Sequence, residues 1–194
     1  MAKLYFRYGA MNSGKSTALM QVAHNYEERD QKVLVIKPMI DTKGDDMLVS
    51  RIGLKRKVDI LLSSDETLES YNIDYSKISC LLVDEAQFLT PKQITELWII
   101  SKLYDTPVIC YGLRSDFKTN SFPGSKRLME LADEIEEMIT ICRCGKRAKF
   151  NGRKVNGRFV SEGEQVVIDN NNEEVTYESL CGKCYMEKVL KISR

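Results

Sequence analysis

Residues Gly9-Ala-Met-Asn-Ser-Gly14-Lys15-Ser16 spell G-x-x-x-x-G-K-S. The apolar run Leu4-Tyr-Phe-Arg-Tyr8 before them reads as a strand. After them Leu19, Val22, Ala23 and Tyr26 fall at i, i+3, i+4 and i+7, the spacing of a helix face. Strand, glycine loop and helix form the context in which this octet cradles phosphate. Glycines let backbone N–H groups curl around phosphate oxygens without Cβ clashes. The helix that follows turns its positive end toward the same oxygens. Lys15 offers a cation to the terminal phosphates, and Ser16 offers a hydroxyl to Mg²⁺. A nucleoside triphosphate is the expected ligand, held by Gly9, Ala10, Met11, Asn12, Ser13, Gly14, Lys15, Ser16 and Thr17.

Working outward, further β-rich apolar runs fall at 33–36, 78–83 and 107–112. Between them lie helical patterns. Thr90-Pro91-Lys92-Gln93 reads as a capping box with proline at the first helical position. It opens an apolar face through Ile94, Leu97, Trp98, Ile100, Leu103 and Tyr104. A third helix follows Pro123-Gly124. Strands alternating with helices predict an α/β fold, a parallel sheet of the P-loop (RecA-like) kind flanked by helices. From Asp41 to Lys57 charged and small residues predict a functional loop. The character changes near residue 140. We expect a nucleotide-binding domain over 1–140 and a small separate unit over 141–194.

The 194 residues fit one domain with a small appendage. With 29 basic and 28 acidic residues the net charge is +1, so no global field draws nucleic acid. The N-terminus enters a strand without a signal segment, and no apolar stretch approaches the roughly 18 residues of a membrane span. A cytoplasmic protein without membrane contact is expected. Of six cysteines, Cys80 and Cys110 sit in apolar runs and read as core side chains. Cys142, Cys144, Cys181 and Cys184 come in two pairs, the pattern of a zinc site in a reducing compartment. The lone histidine, His24, has polar neighbours and reads as solvated.

The run Leu81-Leu-Val-Asp84-Glu85 ends a core strand in two carboxylates. Asp84 fits the acidic Mg²⁺ ligand of phosphate-loop proteins. Glu85 can reach past the metal to the group being activated. If it activates water the protein is an ATPase; if it takes the proton of a bound hydroxyl the protein is a kinase. Arg51 and Arg114 are candidates to neutralise phosphate charge. A reading of another class makes 141–194 a zinc ribbon whose Lys146, Arg147, Lys149, Arg153, Lys154 and Arg158 touch nucleic acid.

Several segments together resemble the type II, or cellular-type, thymidine kinase family. They are Tyr8 through Thr17, Ile36-Lys-Pro with Ile40-Asp-Thr42, Ser50-Arg-Ile-Gly53, Asp84-Glu-Ala-Gln-Phe88, Tyr111-Gly-Leu-Arg-Ser-Asp-Phe117 and the late cysteine pairs. The resemblance implies transfer of the γ-phosphoryl of Mg-ATP to the 5′-hydroxyl of thymidine, and of deoxyuridine, with Glu85 as the base. It places Asp84 and Gln87 on the ATP side. It places Met11, Asp41, Phe88, Leu113 and Phe117 around the nucleoside. Gly163-Glu-Gln-Val-Val-Ile168, including Val167 and Ile168, would lie along the base, with Tyr177 nearby. A zinc-binding lid (lasso) domain over 141–194, a homotetramer and feedback inhibition by thymidine triphosphate are further implications. Two departures stand out: Cys142-Arg-Cys144 has one intervening residue where the family usually has two, and Lys43 stands where arginine is frequent.

Overall fold

Residues of alternating orientation along the strands sort the core into two layers. In the computed structural model, which describes residues 1–40, 46–166 and 174–193, eight strands precede residue 140. They are β1 (Leu4–Tyr8), β2 (Val33–Pro38), β3 (Met47–Val49), β4 (Lys55–Lys57), β5 (Ile60–Leu62), β6 (Cys80–Val83), β7 (Val108–Gly112) and β8 (Glu134–Glu137). Six of them form one wholly parallel sheet in the order β5-β2-β6-β7-β1-β8. Helices α1 (Lys15–Glu27), α2 (Pro91–Leu103) and α3 (Pro123–Leu131) cover it. Val33, Val35, Cys80, Leu82, Ile109 and Tyr111 meet Leu19, Met20 and Ala23 of α1. Leu4, Phe6, Ile36, Leu81, Val83, Val108 and Cys110 meet Ile94, Leu97 and Ile100 of α2 and Leu128 of α3. The inner strands β2, β6 and β7 are thus buried on both faces, as their apolar runs require. Cys80 and Cys110 are core thiols on opposite faces, and burial pushes Cys80 up to about 12.

The capping box forms as its sequence predicts: Thr90 Oγ1 accepts from the Gln93 N–H at 3.2 Å, and Gln93 Oε1 accepts from the Thr90 N–H at 3.0 Å. The apolar face of α2 is shorter than its sequence suggests, because Leu103 and Tyr104 lie at the helix end and meet solvent. The expected loop over 41–57 also needs correction. Residues 41–45, including Asp41 and Lys43, lie outside the described residues, but β3 and β4 pair as an antiparallel hairpin. Leu48 anchors it in the α1 layer, and the Arg56 guanidinium forks onto Glu27 at 2.7 and 2.8 Å. Short, charged strands carry little apolar signal, which is why they read as loop.

Register fixes the site. Tyr8 at the end of β1 pairs with Gly112 of β7, and Val83 at the end of β6 pairs with Ile36 and Cys110. Gly9, Asp84 and Leu113 therefore leave the same carboxyl edge of the sheet, where open α/β sheets bind ligands.

Beyond these lie β9 (Thr140–Ile141), β10 (Arg147–Ala148), β11 (Phe150–Val155), β12 (Arg158–Val160), β13 (Val175–Leu180) and α4 (Gly182–Lys188). Strands β9 and β10 pair as a hairpin, and β12-β11-β13 form a second antiparallel sheet. Ala148, Leu180, Tyr185 and Val189 pack against the late cysteines. Among the described residues no helix is long and apolar enough to cross a membrane.

Candidate functional site

The glycine loop closes tightly on itself. A Cβ at Gly9 would lie 2.3 Å from Ser13 Oγ and 2.6 Å from the Met138 carbonyl, so no side chain fits there. Asn12 and Gly14 take left-handed backbone angles, φ 67° and 78°, and α1 starts directly after. The Lys15 ammonium donates to the Ala10 carbonyl at 3.0 Å and to the Gly9 carbonyl at 3.3 Å. Burial lowers its pKa, and the Glu85 and Asp84 carboxylates oppose that shift. Met11, Asn12, Gly14, Lys15, Ser16 and Thr17 line a cleft of about 320 Å³, closed on its far side by Val49, Ser50, Arg51 and Ile52.

Behind the loop the two acidic residues take different stations. Ser16 Oγ donates to Asp84 Oδ2 at 3.0 Å, while Asp84 Oδ1 is buried without a hydrogen-bond partner. Burial first, and then the neighbouring Glu85 charge, raise the Asp84 carboxyl above its ordinary value. An orphaned carboxylate oxygen beside a serine hydroxyl is a hard oxygen set that fits Mg²⁺. Glu85 holds a left-handed conformation at φ 50°, uncommon for a residue with a side chain. That kink carries its carboxylate out of the strand line. Gln87 reaches back to it: its Nε2 donates to Glu85 Oε2, and its Oε1 accepts from the Leu113 N–H at 3.0 Å. A Cβ at Gly112 would lie 2.6 Å from Gln87 Oε1, so this close approach needs glycine. Gln87, expected on the ATP side, does not line the phosphate cleft.

It lines a second, mainly apolar cavity of about 390 Å³. Met11, Phe88, Leu113, Phe117 and Tyr177, all expected around the nucleoside, come together in its wall. Ile40, Phe122, Asn151, Gln165 and Val166 complete it. Phe88 and Phe122 meet edge to face with centroids 5.4 Å apart. Asp41, Val167 and Ile168 lie outside the described residues. Met11, Glu85 and Leu113 line both cavities, so Glu85 stands where the glycine-loop cleft and the apolar slot meet.

Arg153 is a part of this site that sequence reasoning misplaced on an exposed basic patch. It is buried, with its guanidinium carbon 3.8 Å from the Phe117 ring centre. Its Nε donates to the Tyr177 hydroxyl at 2.9 Å, and its two terminal nitrogens donate to the Glu164 and Gln165 carbonyls at 2.6 and 3.0 Å. Gln165 in turn donates to the buried Asp116 carboxylate at 3.0 Å. Alternation along β11 was the signal available, since Asn151 and Arg153 share one face of that strand. The patch loses further members: Lys154 pairs with Glu178, and Arg147 pairs with Glu137 at 2.6 Å. Arg51 borders the cleft, and the Arg114 guanidinium lies 5.7 Å from the Tyr8 ring centre. His24 is exposed on α1, 3.7 Å from Glu28.

The four late cysteines converge. Their sulfurs all lie within 4.8 Å of one another, with Cys144 and Cys181 3.5 Å apart. Four thiolates about 2.3 Å from a tetrahedral zinc stand roughly 3.8 Å apart, so the set fits the ion. The shortened first pair is accommodated by a turn. The Cys142 carbonyl accepts from the Gly145 N–H at 2.8 Å, and Gly145 takes φ 81°.

Comparison with known proteins draws on this whole length. Residues 2–185 match the family model described as thymidine kinase. A thymidine kinase of Chromobacterium violaceum is 46% identical over 187 residues, covering 95% of this chain and 98% of the relative. Thymidine kinases of Ruegeria pomeroyi and of Enterobacteria phage T4 are each 43% identical, over 191 and 196 residues. The first pairing covers 96% of this chain and 95% of the relative; the phage pairing covers 99% and 100%. At that identity and coverage, this chain belongs to the thymidine kinase family.

Proposed function

We propose that this chain phosphorylates thymidine, and deoxyuridine, at the 5′-hydroxyl, taking the γ-phosphoryl group of ATP. The observation that carries the proposal is the position of Glu85 on the boundary between the phosphate cleft and the apolar slot. A pyrimidine lying among Phe88, Phe117, Phe122 and Tyr177 would present its sugar toward that boundary. Glu85 would then accept the 5′-hydroxyl proton while the oxygen bonds to the γ-phosphorus and the β,γ-bridging oxygen leaves with ADP. Gln87, anchored on the Leu113 N–H, holds the carboxylate in that direction. Lys15 and the loop N–H groups align the phosphates, so much of the barrier is met by positioning. Ser16 and Asp84 would hold Mg²⁺, which when bound neutralises charge on the phosphate oxygens.

The lid reading is part of the same proposal. Residues 141–194 would form a zinc-binding lid on a nucleotide-binding domain of residues 1–140, with zinc on Cys142, Cys144, Cys181 and Cys184. Four free thiols beside one another suit a reducing cytoplasm. A homotetramer and feedback inhibition by thymidine triphosphate are proposed with it, on the family resemblance alone. The test is a product assay with γ-labelled ATP and each nucleoside in turn. Label in thymidine 5′-monophosphate is expected. Label released only as inorganic phosphate, at a rate indifferent to nucleoside, would overturn the proposal.

A further inference from the structure

Met11 lines both cavities, yet neither of its backbone polar groups is served from within the phosphate loop. Its N–H donates to Asn151 Oδ1 at 2.8 Å, and its carbonyl accepts from Ser179 Oγ. The two partners lie 140 and 168 residues away in the chain. Asn151 of β11 and Ser179 of β13 are opposite one another in the antiparallel register, so their side chains emerge together from one face of the second sheet. That face therefore offers an acceptor and a donor side by side, the complement of a single residue's backbone. Both side chains are buried. The other end of the Asn151 amide donates to the Ser115 carbonyl at 3.3 Å, which fixes its orientation. Asn12, the next residue of the loop, takes the left-handed conformation, and its carbonyl accepts from Thr140 Oγ1 at 3.3 Å.

We propose that Ser179 and Asn151 are positioning residues of the nucleotide-donor site. They clamp Met11 from the C-terminal sheet and so set the curl of the phosphate loop. Neither touches phosphate; they act through the backbone they hold. A loop whose N–H groups must already point at the donor loses affinity when its anchor is released, because ordering it is then charged to binding. Ser179 is the cleaner probe, since Asn151 also lines the nucleoside slot and Ser179 does not.

This inference rests on the phosphate loop being the ATP site, and the experiment keeps the two apart. Equilibrium binding of a fluorescent, non-hydrolysable ATP analogue and of thymidine is measured on the full chain. Should the unsubstituted protein fail to bind the analogue, the functional reading itself fails. With that binding established, Ser179→Ala should weaken analogue binding about three- to tenfold, the scale of one hydrogen bond, and leave thymidine binding within about twofold. Ser179→Thr keeps the hydroxyl and should restore the analogue affinity. Unchanged analogue binding in Ser179→Ala, equal losses for both ligands, or a threonine variant as weak as alanine would each overturn the clamp. If the alanine variant does not fold, Ser179→Thr and the isosteric Ser179→Val give the same comparison. Equal analogue affinity in that pair would overturn it as well.

Discussion

Replacing Arg153 by methionine should separate nucleoside affinity from ATP affinity. Methionine keeps the length and much of the volume but removes every donor. Two charge-assisted bonds to the Glu164 and Gln165 carbonyls are lost, along with the bond to Tyr177 and the stack on Phe117. Of these lost contacts only the two carbonyl bonds hold the segment that brings Gln165 and Val166 to the slot, beside the bonds from Gln165 to Asp116 and from Lys118 to the Gly163 carbonyl, which remain. At about 1.5 kcal/mol each, the low end for bonds to a charged donor because freed carbonyls regain water, they sum to about 3 kcal/mol. That corresponds to roughly a hundredfold weaker thymidine binding. Global stability should fall by less. The guanidinium has no carboxylate partner among the described contacts, and its burial carries a desolvation cost that methionine does not. Arg153→Lys should sit between, because an ammonium cannot fork across two carbonyls. The assay is KM for thymidine and for ATP on each variant, with far-ultraviolet circular dichroism to verify the fold. A thymidine KM within about twofold of the parent, against the predicted loss of two charged bonds, would refute the reasoning. So would an ATP KM raised by the same factor.

Other predictions test separate parts of the site. Glu85→Gln should leave ATP affinity nearly intact and lower turnover by on the order of 10², the effect of losing a general base; unchanged turnover would remove Glu85 from that role. Metal analysis should find one zinc per chain, and stripping it should raise the thymidine KM strongly, since β11 and β13 carry Arg153 and Tyr177 to the apolar slot, and the ATP KM less, since only the Asn151 and Ser179 contacts reach the phosphate loop; a metal-free protein with both constants unchanged would contradict this. The Glu27 carboxyl is held below its ordinary value by its hydrogen bonds to Arg56. Because the folded value is depressed, this pair stabilises the protein above the unfolded carboxylate pKa, and the contribution fades as pH falls through the lowered folded value. Glu27→Gln should therefore lower Tm near neutrality, with the gap to the parent closing at acid pH; a gap that widened on acidification would reverse the sign of the argument. For a pair this exposed the loss is at most about 1 kcal/mol.

The central sheet was legible because β2, β6 and β7 are buried on both faces and therefore read as apolar runs, while β1 keeps Leu4 and Phe6 buried between half-buried neighbours. Edge strands were not. β8 carries Glu134, Glu136 and Glu137 and lies exposed, so nothing in its pattern separates it from a loop. β3 and β4 are three residues each, and of the six only Leu48 is buried. The glycine loop, the acidic pair and the cysteines were visible because their chemistry is tied to fixed spacing. Arg153 was not, since alternation along β11 groups it with Asn151 but does not say whether that face meets solvent or Phe117. Its role depends on Phe117 and the 164–165 carbonyls arriving from elsewhere in the chain. The same holds for the Met11 clamp, whose partners are joined only by the register of β11 and β13.

The most direct measurement is a crystal structure with thymidine and a non-hydrolysable ATP analogue bound together. The account predicts the 5′-oxygen within about 3 Å of a Glu85 carboxylate oxygen, hydrogen-bonding distance for a general base, and in line with the γ-phosphorus. A water molecule in that line, with the sugar turned away from Glu85, would contradict it.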